Sequence, residues 1–242
     1  KRAIKGSCAF FKNRLLKNYL NIRLYLNNVF RNLAPGTHEE IEFSYSEPRF
    51  EYNPLPKSDG RIILDGYFQS ELYFIKYENE IRELFSESEE IKEYIDRKYE
   101  KLFSSKQLVS IHVRRGDYVK YPDHHPMLTK YYYRKAIRDF VEKGYRSFFV
   151  FSDDIEWCKK NFVGETFEDV DIFYSNNERD IIDMYLMARC GNHIIGNSSF
   201  SWWGAWLNPR KNKQVIAPKQ WFGKALKGHN TENLLPENWR VM

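Results

Sequence analysis

The sequence over residues 108–118 is LVSIHVRRGDY, an apolar run that ends in a cluster of charged side chains. Its first six residues have the length and the β-branched content of a buried strand. Arg114, Arg115, Gly116 and Asp117 follow directly, where such a strand turns towards the next element. The cluster also contains the adhesion tripeptide Arg-Gly-Asp, which needs a freely presented loop and arises often by chance. A position directly after a buried strand therefore favours a ligand site over an adhesion motif.

Downstream of residue 107, predicted strands alternate with predicted helices, as they do in a parallel α/β sheet. Further strands are predicted at 147–151, 171–175, 193–197 and 214–218. The sequence therefore predicts an α/β fold with a C-terminal Rossmann-like parallel sheet. Helices are predicted between the strands: one follows the cap Thr129 and stops at Gly144, one runs through Trp157 and Cys158, and two cover 178–190 and 199–207.

The first four of these strands each end in a polar cluster. In an open parallel sheet the carboxyl ends of the strands meet at one edge, and ligands bind there. Clusters that are far apart in the sequence are thus expected to converge in space. Besides the arginine cluster, they are Ser152, Asp153 and Asp154; Ser175, Asn176 and Asn177; and Asn197, Ser198 and Ser199.

Paired arginines at a strand end are typical of a site for phosphate groups. The planar guanidinium group presents a fork of donors that matches phosphate oxygens. The turn at 197–200 adds hydroxyl groups at the start of a predicted helix, where the helix dipole also favours an anion. The residues thus predict a phosphate or pyrophosphate site with Arg114 as a ligand. For Arg115, an ion pair with Asp117 that braces the loop is an equal alternative.

Residues 1–106 lack the regular alternation and are expected to form a separate, mostly helical or incomplete N-terminal region. A helix is predicted over roughly 8–26, a short strand over 61–64, and two helices up to about residue 103. Prolines between the first helix and the strand are typical of loops. We place the domain boundary at 106/107, with the ligand-binding domain at 107–242.

The charge distribution bears on partners and location. The net charge is +5, and eight basic residues precede the first acidic residue, Glu39. A basic stretch that also carries apolar side chains fits a solvated helix face or peripheral contact with a membrane. No run of 18 apolar residues and no signal peptide are visible, so a cytoplasmic location is expected. The basic residues of the C-terminal half are scattered and no RNA-binding motif occurs, so we expect no nucleic-acid partner.

Several patterns resemble metal sites, but the sequence favours a site without a metal. Asp169-Val170-Asp171 has Asp-x-Asp spacing, although its apolar run follows the pair instead of preceding it. Asp153 and Asp154 are better explained as a helix cap and a first-turn acid. Asp123-His124-His125 lies between two prolines, as a surface loop does, and the three cysteines form no CxxC pair. Arginines already supply positive charge at the predicted site, which makes a metal ion redundant.

A tryptophan-rich helix is predicted after the turn at 197–200. Trp202, Trp203 and Trp206 are more typical of core packing than of sugar stacking. Gly204, which lies among them, is expected to allow the close approach of a neighbouring element. The tryptophans are therefore expected to anchor the turn against the sheet.

Two tracts together resemble a known enzyme family. His112-Val113-Arg114-Arg115-Gly116-Asp117 resembles the HxRRxD motif of fucosyltransferases, and the tract from Asp183-Met184-Tyr185 to NSSFSWWGA at 197–205 resembles the later motif of the α-1,2-fucosyltransferases of glycosyltransferase family 11. The tracts at 66–70 and 217–222 are similar to bacterial-type members. The resemblance covers roughly residues 62–222. The glycine-rich GGLGNQ-type turn that usually opens the family is not found in these 242 residues.

The resemblance implies a GT-B-like enzyme of two domains, with residues 1–106 on the acceptor side. It implies an inverting transfer, without a metal, of L-fucose from GDP-β-L-fucose to the 2-hydroxyl group of a terminal galactose. A non-catalytic module that binds a GDP-sugar or a glycan remains an alternative. So does a fucosyltransferase of another linkage, since protein O-fucosyltransferases and core α-1,6-fucosyltransferases share the arginine motif.

The resemblance also implies roles for individual residues. Arg114 would hold the β-phosphate and stabilise the departing GDP. Asp117 would act as the general base or would orient Arg115. The remaining donor-binding residues are His112 near the nucleotide, Arg115 beside the diphosphate, Asp183 as the acceptor for guanine N–H groups, and Ser198, Ser199 and Phe200 along the diphosphate and ribose.

Overall fold

The computed structural model describes residues 41–57, 61–162, 169–175 and 178–242. Contacts divide the chain into two compact units. The smaller unit comprises residues up to Tyr77 together with His229–Leu235, and the larger unit comprises Glu78–Gly228 together with Pro236–Met242. The contacts therefore group residues 78–106 with the larger unit, whereas the sequence pattern placed them on the N-terminal side of the boundary.

The described part of the smaller unit contains a two-stranded parallel sheet. Strand β1 (Ile41–Ser46) pairs with β2 (Arg61–Asp65), and two short 3-10 helices follow at Glu71–Tyr73 and Ile75–Tyr77. Strand β2 confirms the predicted short strand, whereas β1 was not predicted. Glu47, just after β1, accepts hydrogen bonds from the backbone N–H groups of Tyr67 and Phe68, which gives the turn at 66–70 a structural role.

The larger unit is built on a six-stranded sheet in the order β5-β4-β3-β6-β7-β8, and all neighbouring strands run parallel. The five strands predicted downstream of residue 107 are confirmed, and the two-residue strand β8 is an addition. The elements are α1 (Glu78–Leu84), α2 (Glu89–Ser105), β3 (Leu108–Val113), α3 (Lys130–Glu142), β4 (Ser147–Ser152), α4 (Ile155–Phe162), β5 (Asp171–Tyr174), α5 (Asp180–Arg189), β6 (Asn192–Ile194), α6 (Ser199–Leu207), β7 (Val215–Ala217) and β8 (Arg240–Val241).

Burial of β3 on both faces explains its near-continuous apolar sequence. All six of its residues are buried, as are five of the six residues of β4. Helix α3 covers one face with Ala136, Ile137 and Phe140, all fully buried. A strand covered on both faces cannot alternate polar and apolar residues, so LVSIHV belongs at the centre of the sheet.

The order of the strands fixes where a ligand site lies. Strand β3 has β4 on one side and β6 on the other, and the chain fills the two sides in succession. The connections after β3 and after β6 therefore lead away from each other, which opens a crevice at the carboxyl ends of these two strands. Such a topological switch point is where open α/β sheets bind their ligands.

The predicted helix over 8–26 lies outside the described residues. Its peripheral contact with a membrane, and the cytoplasmic location, accordingly stay predictions. Within the ranges that the structure describes, no helix has both the length and the apolar character needed to cross a membrane.

Candidate functional site

Arg114 leaves the end of β3 and is held by two carboxylates. Its Nε and Nη2 donate to Oδ1 of Asp117 at 3.0 and 2.7 Å, and its Nη1 lies 3.0 Å from Oδ2 of Asp153. Burial opposes the charge of Arg114, but the two carboxylates outweigh burial and raise the pKa of its guanidinium group. Arg114 is therefore a fixed cation at the switch point.

Arg115 points to the other side of the loop. Its Nε donates to Oδ2 of Asp154 at 2.9 Å, and its guanidinium group lies 4.3 Å from the centre of the Trp157 ring, a cation–π contact. The ion pair between Arg115 and Asp117 that the sequence left open is thus wrong. Asp117 is engaged by Arg114, and Arg115 is braced against the start of α4 instead.

Asp153 directly follows β4 and holds the loop after β3, residues 114–117, which we call the arginine loop. Its Oδ1 accepts the backbone N–H of Arg115 at 2.8 Å, while its Oδ2 faces Arg114. A Cβ atom at Gly116 would come within 2.6 Å of that same Oδ2. A side chain at this position would push that carboxylate away from Arg114, so the glycine leaves room for the ion pair.

His112 is buried beneath this loop. Burial, aided by the charge of Arg114, lowers the pKa of His112 to about 3, so its imidazole is neutral. Its ring lies 5.4 Å from that of Phe200, and its Nδ1 has no hydrogen-bond partner among the described residues. The structure therefore brings His112, Arg114 and Phe200 together, as the sequence predicted.

The turn after β6, residues 197–199, lies beside the arginine loop; we call it the serine turn. Ser198 is the N-cap residue of α6, with no side-chain capping bond, and Ser199 is the first residue of that helix. The Tyr118 hydroxyl donates to the backbone carbonyl of Asn197 at 2.8 Å, which ties the loop after β3 to this turn. The amide of Asn197 is itself buried and donates to two carbonyl oxygens, so the turn is rigidly positioned.

Asp183 lies farther along the same edge, on α5 near the end of the outer strand β5. It accepts a short hydrogen bond from the hydroxyl group of Ser175. Burial raises the pKa of Asp183 to about 6, although the bond from Ser175 opposes that rise. Asp183 therefore belongs to the edge but not to the arginine network. Asn176 and Asn177, from the same predicted cluster, lie outside the described residues.

The charges of the network leave an excess of acid. Two guanidinium groups face the three carboxylates of Asp117, Asp153 and Asp154. Asp117 is the most exposed of the three, with 45% of its side chain accessible. A phosphate ligand would displace Asp117 from Arg114 more readily than Asp153, because Asp153 also accepts a hydrogen bond from the loop backbone.

The patterns that resembled metal sites have other roles. Asp154 accepts the backbone N–H of Trp157 at 3.0 Å and so caps α4, a role that the sequence had assigned to Asp153. Asp171 begins β5 at the opposite edge of the sheet, where it pairs with Lys106 at 2.6 Å. Asp123 pairs with Lys224 in a loop. In the described ranges, no group of three or more histidine, cysteine or acidic residues is placed to hold a metal ion.

The bonds made by Asp153 and Tyr118 were not predicted from the sequence. Asp153 was placed at the ligand edge and at the helix start, but not beside Arg114, and Tyr118 was not singled out. The pairing of Val113 with Ser152 in the register of β3 and β4 is what places Asp153 beside Arg114. The polar residue directly after each paired strand was the available signal.

The chain is a Rossmann-like α/β protein. Its ligand edge carries Arg114 and Arg115 at the switch point of the sheet. The model of the family described as glycosyl transferase family 11 matches residues 11–241. The chain belongs to this family. The expected α/β class with a C-terminal Rossmann-like parallel sheet is confirmed by the six-stranded sheet.

Known proteins similar to this chain carry related activities. An Escherichia coli alpha-1,2-colitosyltransferase is 37% identical over 212 residues, which cover 82% of this chain and 70% of that protein. A Caenorhabditis elegans galactoside 2-alpha-L-fucosyltransferase is 30% identical over 75% of this chain and 53% of its own length, so the chain spans only about half of that relative. Among solved structures, that of NodZ alpha-1,6-fucosyltransferase soaked with GDP-fucose matches with a TM-score of 0.47 and 24% identity, over 69% of this chain and 56% of that one.

Proposed function

We propose that the protein transfers L-fucose from GDP-β-L-fucose to the 2-hydroxyl group of a terminal galactose, with inversion and without a metal ion. The observation that carries the proposal is the position of Arg114 at the switch point, beside the serine turn, in a chain of glycosyl transferase family 11. The α-1,2 linkage and the galactose acceptor are supported by the activities named for the two relatives.

Arg114 suits the role of stabilising the leaving group. As the bond between the sugar C1 and the phosphate oxygen breaks, negative charge grows on the β-phosphate. A fixed guanidinium group stabilises that charge more in the transition state than in the ground state. Its present carboxylate partners hold it in place before the donor binds.

Asp117 suits the role of the general base. When the donor phosphate binds Arg114 in place of Asp117, the Asp117 carboxylate becomes available to the acceptor hydroxyl group. The hydroxyl oxygen then attacks C1, its proton passes to Asp117, and GDP departs with the electrons of the broken C1–O bond. One ion pair thus supplies both the cation for the leaving group and the base for the nucleophile.

A second candidate donor is favoured by one specific observation. The relative with 37% identity is a colitosyltransferase. Colitose is therefore the second candidate for the sugar that the donor carries, beside fucose. Parallel assays with GDP-fucose and GDP-colitose, at equal concentrations and with the same galactoside, decide between the two by the ratio of kcat/KM.

The first test of the proposal is calorimetric titration with GDP in the presence of EDTA, with UDP and ADP as controls. We expect GDP to bind, and UDP and ADP to bind much more weakly. Equal binding of all three nucleotides would contradict a guanosine donor, and GDP binding that appears only after a divalent cation is added would contradict the metal-free site.

The second test is the variant Arg114→Ala. We expect its turnover with GDP-fucose to fall by about 10²–10³, because it lacks the charge-stabilising donor. Arg146→Ala is a matched control, since Arg146 lies at the opposite edge of the sheet and donates to the carbonyl groups of Val141 and Tyr145. Near-normal turnover in Arg114→Ala, measured under saturating donor, would refute the assignment.

A further inference from the structure

The arginine loop and the serine turn are joined by the buried side chain of Tyr118. Tyr118 directly follows the loop, and its hydroxyl group donates to the backbone carbonyl of Asn197 at 2.8 Å. Both residues are almost fully buried, with exposures of 4% and 1%. Within the described ranges, the structure gives this carbonyl oxygen no second donor, so the bond from Tyr118 is what satisfies it.

The ring of Tyr118 is held on the side of the arginine loop as well. It stacks on the imidazole ring of His125, with 4.7 Å between the ring centres and 18° between the planes. The guanidinium group of Arg114 lies 5.9 Å from the centre of the same ring, at the outer limit of a cation–π contact. One rigid side chain thus lies beside the arginine at its ring and reaches the serine turn at its hydroxyl group.

Asn197, which receives this hydroxyl group, is itself fixed. Its side-chain amide donates to the backbone carbonyl groups of Pro126 at 3.0 Å and Trp221 at 3.1 Å. The bond from Tyr118 therefore ends on a residue that is held by two further loops. Such a bond sets the separation between the arginine loop and the serine turn.

The arginine loop is anchored on both sides of β3. On the β4 side, Asp153 accepts the backbone N–H of Arg115 at 2.8 Å, and on the β6 side Tyr118 bonds the serine turn. Asp117 adds a third restraint through its ion pair with Arg114, but this is the carboxylate that a donor phosphate displaces. The two anchors do not involve Asp117, so they remain in place when the donor is bound.

We propose that Tyr118 is a positioning residue, which holds Arg114 and the serine turn at the separation where both bind the same phosphate group of the donor. The inference rests on the proposed function and adds a residue that acts through Arg114. Either half of the site alone is able to bind a phosphate in the ground state. The charge that develops on the leaving group, in contrast, is stabilised by donors that are already in place.

The test compares Tyr118→Phe with the unmodified full chain, with GDP-fucose as the donor and lactose as the galactose-terminated probe. The variant keeps the ring and loses the hydroxyl group. We expect its kcat to fall roughly 10- to 100-fold with little change in the KM for GDP-fucose, because a small misplacement of a catalytic group costs up to about 10² in rate. The kcat is expressed per GDP-binding site, counted by calorimetry, so that unfolded protein does not contribute to the loss.

Tyr132→Phe is the matched control. The Tyr132 hydroxyl group is also buried and donates to the backbone carbonyl groups of Ile195 at 2.8 Å and Ile216 at 3.2 Å, neither of which belongs to the arginine loop or the serine turn. We expect this variant to lose thermal stability, as Tyr118→Phe does, but to keep its kcat per site. A near-normal kcat in Tyr118→Phe would overturn the inference, and so would an equal loss in both variants.

A double-mutant cycle with Arg114→Ala separates positioning from a general effect on the fold. Because Tyr118 acts through Arg114, its replacement by Phe is expected to have little further effect on kcat in a chain that already lacks the guanidinium group. Losses that multiply in the double variant would contradict this role. Failure of the proposed function has a different signature, since the unmodified chain would then neither bind GDP nor consume GDP-fucose.

Discussion

At the scale of single residues, the buried carboxyl group of Asp183 makes folding depend on pH. Its pKa in the folded protein is about 6, compared with an ordinary value of 3.8, because burial disfavours the charged form. The folded state is therefore more stable, relative to the unfolded state, when Asp183 is protonated. The stability that this group supplies is fully present below its unfolded pKa and is lost as the pH rises through about 6.

Replacing the carboxyl group by an amide tests this linkage. Asp183→Asn cannot ionise and can still accept the hydrogen bond from Ser175. We expect the free energy of unfolding of Asp183→Asn, relative to the unmodified chain, to increase by about 2 kcal/mol between pH 4 and pH 8. Urea denaturation followed by tryptophan fluorescence at several pH values measures the difference.

Asp180→Asn provides the control for this experiment. Asp180 lies at the start of the same helix but is exposed, so its replacement controls for the loss of one negative charge from this helix. If the curves of Asp183→Asn and the unmodified chain ran parallel across this pH range, the carboxyl group would not be perturbed.

At the scale of elements, the packing of α6 on α5 depends on a glycine. An ideal Cβ atom at Gly204 would lie 3.0 Å from Cβ and 3.1 Å from Cε of Met187, which is fully buried on α5. The close contact that was expected at Gly204 therefore exists, and Met187 forms it.

Gly204→Ala is expected to lower the free energy of unfolding by about 1–3 kcal/mol, because a methyl group is forced into a filled contact. Thermal unfolding followed by circular dichroism measures the loss. Gly228→Ala is the matched control, since a Cβ atom there meets nothing within 4 Å.

A double-mutant cycle attributes the loss to Met187. Met187→Ala removes the Cε contact at 3.1 Å but keeps the Cβ contact at 3.0 Å, so the cost of Gly204→Ala/Met187→Ala is expected to fall partly below the sum of the two separate costs. Strict additivity of the two changes would contradict direct contact between these positions.

How much could be predicted from the sequence differs between elements and contacts. The helix after Thr129 and the strand at 108–113 were predicted because their apolar residues recur with a clear period or run. Strand β8 has only two residues and no such signal, so it could not be found. Strand β1, with the alternating sequence IEFSYS, carried a signal that was overlooked among the neighbouring prolines.

The candidate site follows the same rule. The convergence of strand ends follows from topology alone, so the sequence sufficed to bring Arg114, His112 and Phe200 together. The choice of ion-pair partners could not be predicted, because it depends on the register of two strands and on the direction in which each long side chain leaves the backbone. Thus Asp153 and Asp154, rather than Asp117 alone, hold the two arginines.

At the scale of the whole molecule, the chain passes between its two units more than once. It leaves the smaller unit after Tyr77, returns to it for His229–Leu235, and ends in the larger unit with Pro236–Met242. That last segment supplies β8, which pairs with β7, and Trp239, whose buried ring lies 5.5 Å from that of Trp202. The final seven residues therefore complete the sheet on which the candidate site is built.

The two fragments 78–242 and 78–228 test this dependence, with the full chain as the reference. The arginine loop, Asp153, Asp183 and the serine turn all belong to the larger unit, so fragment 78–242 is expected to bind GDP as the full chain does. Fragment 78–228 lacks β8 and the buried Trp239, and loss of a buried tryptophan side chain alone costs about 3–5 kcal/mol. We therefore expect 78–228 to unfold at a clearly lower temperature and to bind GDP weakly, as measured by calorimetry and thermal unfolding.

Equal stability of the two fragments would mean that the sheet is complete without its last strand. Loss of GDP binding in 78–242 would mean that the smaller unit contributes to the donor site.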